Sequence, residues 1–115
     1  MSPDPTLDDL LPLTPTVYHI LVSLADGARH GYAVAHEVEE LTDGRLVMGP
    51  GTLYGSLRRM EASGLIEETE NPGEEGVHAE RRRYYAMTPL GREALALESR
   101  RLRRAVDLAQ ARLAP

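Results

Sequence analysis

The sequence predicts a mainly α fold with a small β-hairpin: a winged helix-turn-helix followed by a long C-terminal dimerisation helix. Three short segments with apolar residues at helical spacing occupy residues 14–62, and two strand-like segments flank a polar stretch at 71–80. After Thr88-Pro89 no helix breaker follows until Pro115. This order divides the chain into a flexible arm (1–13), a winged domain (14–88) and a terminal helix (89–115).

The arm holds three Pro and three Asp before any sustained pattern begins, so it reads as extended and loosely attached. Thr14-Pro15 is an N-cap followed by Pro at the first helical position, where its missing N–H costs nothing. The first helix runs to about Ala25 with Val17, Ile20, Leu21 and Leu24 on one face, and Tyr18 and Val22 apolar on another. His30-Gly31 leads into a second helix, about Tyr32 to Leu41, whose inner stripe is Val34, Val38 and Leu41. Gly49-Pro50-Gly51 turns into a third, with Leu53, Leu57 and Met60 buried, and Ser63-Gly64 ends it. Leu65–Thr69 and Arg82–Thr88 form the hairpin. Alternation puts Arg82 and Tyr84 on one face and Arg83, Tyr85 and Met87 on the other, the core side. The terminal helix, about 25 residues or ~38 Å, outruns so small a globule. Its stripe of Leu95, Leu102, Val106, Ala109 and Leu113 needs a cover, and a second copy of the chain is the simplest one.

The 115 residues suit one domain, with 42% apolar and 27% charged residues as in ordinary globular chains. Cysteine is absent, which excludes disulfides, thiolate metal sites and cysteine nucleophiles. The start MSPDPTLDDL lacks the basic and apolar stretches of a signal peptide, and no apolar run approaches the ~20 residues of a membrane span. A cytoplasmic location with no membrane association is expected.

The net charge of −5 argues at first against nucleic acid. Its distribution argues otherwise. Residues 1–44 carry −7 and 67–80 carry −6, whereas 45–66 carry +2 and 81–115 carry +6, and all thirteen basic residues are Arg. The guanidinium fork suits bidentate contacts with phosphate or guanine. With the leucines of the third helix buried, 100° per residue turns Gly51, Thr52, Gly55, Arg58 and Arg59 outward, with Tyr54 at the flank. The other reading, a solvated face, leaves two helix-weakening glycines unexplained. Thr52, Tyr54, Gly55, Arg58 and Arg59 are therefore the candidate DNA contacts. Arg82 joins them as a phosphate contact from the wing, although Arg81, Arg82 and Arg83 are equally suited to pair with Glu67, Glu68 and Glu70 on the facing strand.

The ordered set His30-Gly31-Tyr32, Gly51-Thr52-Leu53-Tyr54, Leu57-Arg58-Arg59-Met60-Glu61, Gly64-Leu65-Ile66, Arg83-Tyr84-Tyr85 and Leu90-Gly91 after Thr88 resembles the PadR family over about residues 14–95. The resemblance implies a winged-helix repressor that binds operator DNA as a homodimer, its C-terminal helix packing on the partner's first helix. It also implies a small aromatic or drug-like effector, with Tyr18, His19 and Val22 as lining residues of a pocket at that interface; simple interface packing is the other reading of those three. One terminal helix places the chain in the short subfamily. The chain departs from many relatives in having no Lys, no Trp and an acidic wing tip with Glu74 and Glu75.

Enzymatic signals are thin. His36-Glu37-Val38-Glu39-Glu40 has Glu40 where a zinc-protease helix needs its second His, and Gly49-x-Gly51-x-x-x-Gly55 has the wrong spacing for a dinucleotide loop. No catalytic residues, metal or cofactor are expected. The rival from another class is a winged-helix module that binds proteins and never DNA, which net acidity favours.

Overall fold

The computed structural model describes residues 7–70 and 83–115. Helix α1 (Leu7–Leu10) comes first, then α2 (Pro15–Leu24), β1 (Arg29–His30), α3 (Gly31–Leu41), α4 (Pro50–Ala62), β2 (Ile66–Thr69), β3 (Tyr84–Met87) and α5 (Pro89–Leu113). The three antiparallel strands lie in the order β1-β3-β2. This is the winged helix-turn-helix with a long terminal helix.

Local chemistry sets the helix starts. The Thr14 hydroxyl accepts from the Val17 N–H at 3.2 Å with Pro15 at the first helical position. His30 does the same for α3 through Nδ1, which accepts from the Ala33 N–H at 3.2 Å. At α5 the Thr88 hydroxyl accepts from the Gly91 N–H at 3.0 Å. The core then closes between layers: Ile20, Leu21 and Leu24 of α2 meet Val34 and Val38 of α3, Leu53, Leu57 and Met60 of α4, Leu65, Ile66 and Tyr85 from the hairpin side, and Ala94 of α5. Full burial of such side chains stabilises by about 1.5–3 kcal/mol each.

Four details differ from the sequence reading. Part of the expected extended arm is helical: α1 packs along α5, and Leu7, Leu10 and Leu13 rest on the core. A buried acceptor holds the end of this segment, because the Leu13 N–H donates to the Glu98 carboxylate, which also pairs with Arg101. The hairpin gains a third strand, since β1 sets His30 opposite Tyr84. Tyr84 is consequently buried like Tyr85, with the His30 ring edge-on to it at 5.6 Å, rather than facing solvent. Leu41, the last residue of α3, is 47% exposed instead of completing the inner stripe of Val34 and Val38.

The radius of gyration is 15.9 Å against roughly 13 Å for a compact chain of this length. The excess comes from α5: every residue from Arg101 to Pro115 is exposed. Among the described residues no helix is long and apolar enough to cross a membrane.

Candidate nucleic-acid interface

Helix α4 carries the outward face anticipated from the sequence. Leu53, Ser56, Leu57 and Met60 are buried, whereas Gly51, Thr52, Arg58 and Arg59 are exposed and Tyr54 and Gly55 are half-buried. Around the helix axis, Gly51 and Gly55 fall near the centre of the outer face. A Cβ at Gly51 would meet nothing within 4 Å, and one at Gly55 would meet only Arg59 Nη1 at 3.4 Å. The backbone is thus bare along this line, although glycine costs a helix up to about 1 kcal/mol per residue relative to alanine.

The two arginines stand on opposite flanks of that line. Arg58 faces a groove of about 600 Å³ that it lines with His30, Gly31, Tyr32, Tyr54, Arg83 and Tyr85. Arg59 lines a cleft with Asp9, Leu10 and Ser56, and its Nη2 donates to Ser56 Oγ at 3.3 Å. Thr52 lies on the Arg59 side and Tyr54 on the Arg58 side. Tyr54 is fixed by packing: its ring meets Tyr32 edge-on at 6.3 Å and rests on Gly31.

Arg83, the residue before β3, brings a further guanidinium to the same surface. Arg83 Nε lies 3.8 Å from Glu68 Oε1, a pair with both side chains well exposed and therefore weak. Burial raises the Tyr85 phenol above its ordinary pKa, opposed by a hydrogen bond with Arg83, so the ring stays neutral at physiological pH. Arg82 lies outside the described residues.

The remaining predicted residues gather elsewhere. Tyr18 Oη and Ser99 Oγ share a hydrogen bond of 2.8 Å, which ties α2 to the chain's own α5. His19 Nδ1 bonds the Pro15 carbonyl at 2.7 Å, so that nitrogen carries the proton, and its ring meets Tyr18 edge-on at 5.5 Å. Val22 is half-buried. On α5, Leu95 packs against the chain's own core, whereas Leu102, Val106 and Leu113 are 38%, 52% and 82% exposed and Ala109 is exposed. Leu108, 56% exposed on another side of α5, was not anticipated.

Sequence reasoning also missed His30, Gly31, Tyr32, Arg83 and Tyr85 as surroundings of Arg58. Their signal was present as motif pieces; what joins them is the pairing of β1 with β3, which two residues without alternation do not announce. His36 Nε2 lies 3.3 Å from Glu40 Oε1 with both side chains exposed, and no cluster able to hold a metal occurs among the described residues.

Comparison with known proteins identifies this assembly of parts. The profile of the transcriptional regulator PadR-like family matches residues 20–97. A Mycobacterium tuberculosis transcriptional regulator is 39% identical over 84 residues, covering 73% of this chain and 72% of that protein. An uncharacterized 37.1 kDa protein of a Streptomyces fradiae transposon is 41% identical over 85 residues, 74% of this chain, but the match spans only 22% of that longer protein. The structure superposes on a PadR family transcription regulator from Clostridium difficile with a TM-score of 0.72 and 25% identity, covering 88% of this chain and 100% of that one. The chain belongs to the PadR-like family of transcriptional regulators.

Proposed function

We propose that this chain is a sequence-specific DNA-binding repressor that acts as a homodimer and is released by a small-molecule inducer. The observation that carries the DNA reading is the outer face of α4, where bare backbone at Gly51 and Gly55 is flanked by Arg58 and Arg59. A helix with this surface fits a major groove, the glycines allowing close approach and the arginines reading guanine or holding phosphate. Thr52 and Tyr54, near the helix N-terminus, hold backbone oxygens. Arg82 of the wing adds a weaker phosphate contact. Residues 14–88 form the DNA-binding unit and 89–115 the dimerisation helix.

The exposed stripe of Leu102, Val106, Ala109 and Leu113, with Leu95 at its inner end, supports pairing with a second copy. The same pairing would bring the partner's α5 against α2, with Tyr18, His19 and Val22 facing an effector there. Selection of genomic fragments by the purified chain tests this reading. A recovered palindrome, bound with steep salt dependence, is the expected result. Failure to retain any duplex at low salt would instead favour the protein-binding module.

A further inference from the structure

The outer half of α5 carries a charge that the proposed function does not use. Residues 99–115 hold five Arg against one Asp in a chain whose net charge is −5, and Arg100, Arg101, Arg103 and Arg104 fall within five consecutive positions. All four are exposed. Arg101 pairs with the buried Glu98, whereas among the described residues Arg100, Arg103 and Arg104 have no ion pair, not even with Asp107 one turn on. At 100° per residue, Arg100 and Arg104 fall about 150–170° from the midpoint of the Leu102, Val106, Ala109 and Leu113 stripe, with Arg101 and Arg103 on the two flanks. A second copy seated on the stripe therefore leaves this band in solvent.

Ordinary surface roles do not account for the band. Arg100 stands one turn from both Arg103 and Arg104, and Arg101 one turn from Arg104; like charges so placed repel and weaken a helix. Arg104 lies nine residues before Leu113, beyond the last turn, in which the helix dipole favours a cation. The outer half of a partner's α5 offers only Asp107 as a counter-charge. A polyanion from outside satisfies the whole row. Duplex DNA, with one charge per ~1.7 Å of axis, matches a row of guanidinium forks better than scattered carboxylates do. Helix α5 packs on α1, α2 and β3, while the reading face of α4 turns away from the same core, so a duplex on α4 leaves the band open.

We propose that this band, Arg100, Arg103 and Arg104 with Arg101 at its edge, holds the phosphates of a second DNA duplex without regard to sequence, so that the chain bridges two DNA segments. Bridging rests on the DNA reading of α4 above; the band's own affinity for duplex does not.

The test seats the full chain on an immobilised operator duplex obtained by the genomic selection above and adds a labelled scrambled duplex at about 50 mM salt. Wild type should retain the second duplex. The triple variant Arg100→Gln, Arg103→Gln, Arg104→Gln should retain about tenfold less while binding the operator within about twofold of wild type. The three side chains are exposed, and circular dichroism verifies the fold. In solution, the salt slope for the scrambled duplex should flatten in the variant by up to about three units per protomer. Bridging is overturned if wild type retains no second duplex or if the variant retains as much as wild type. It is equally overturned if the variant loses operator affinity in parallel, which would put the band on the operator's own duplex. Displacement of the scrambled duplex by polyglutamate as readily as by unlabelled DNA of equal charge overturns the choice of nucleic acid. A chain that binds no operator contradicts the reading of α4 alone; the solution titration still decides the band, and equal slopes and affinities for wild type and variant would overturn it.

Discussion

The Tyr54 hydroxyl lies 3.0 Å from the point where a side chain at Gly31 would begin, and two ring carbons lie at 3.1 and 3.2 Å. Tyr54 therefore sits in space that exists because residue 31 has no Cβ. Gly31→Ala should push the half-buried ring outward rather than break the core, with stability changing by less than about 1 kcal/mol because helix propensity offsets part of the contact. DNA affinity should fall, and the loss should largely vanish in a Tyr54→Ala background. Additive losses in the double-mutant cycle would contradict this linkage.

Gly91 presents the opposite case. A Cβ there would overlap the backbone carbonyl of Leu65, which already accepts the Thr88 N–H at 3.1 Å, and would stand 3.0 Å from Met87 Cγ. Backbone cannot move aside as a side chain can. Gly91→Ala is expected to cost at least about 2 kcal/mol, read from denaturant midpoints; wild-type stability in that variant would refute the close packing of α5 on the hairpin.

Glu98, 1% exposed, is held ionised by Arg101 and by the Leu13 N–H against the opposing effect of burial, so its carboxyl titrates below its ordinary value of 4.5. A folded pKa below the unfolded one means that folding favours the ionised form. The stabilisation is fully present above the unfolded value and disappears as pH falls through the folded one. Glu98→Gln should lower stability at pH 7 by about 1–3 kcal/mol, with the gap to wild type narrowing below about pH 4.5. A gap of constant size from pH 7 to pH 3 would disprove the assignment.

Leu102→Glu places a charge in the stripe proposed to pair with a second copy. Light scattering should report a monomer with unchanged helical content. A folded dimer would remove α5 from the interface.

The helices were legible in the sequence because their signals are local: Thr14-Pro15 and Thr88-Pro89 announce starts, and Leu53, Leu57 and Met60 repeat at helical spacing. The outward face of α4 followed from the same periodicity. What the sequence hid depends on contacts between distant residues. Tyr84 is buried because a two-residue strand covers it, and the terminal segment docks because Leu13 finds Glu98 across 85 positions. The groove at Arg58 likewise needs α3, α4 and β3 together, so no local pattern could outline it.

The most direct test of the DNA-reading face is a salt titration of operator binding by wild type, Arg58→Ala and Arg59→Ala, against a scrambled duplex. An arginine that reads guanine should lose about 1–3 kcal/mol on the operator and relax preference at one position per half-site. One that holds phosphate should weaken all sequences alike and flatten the salt slope by about one unit per protomer contact. Operator binding as tight as wild type by both variants at every salt concentration would contradict the assignment of α4 as the surface that reads DNA.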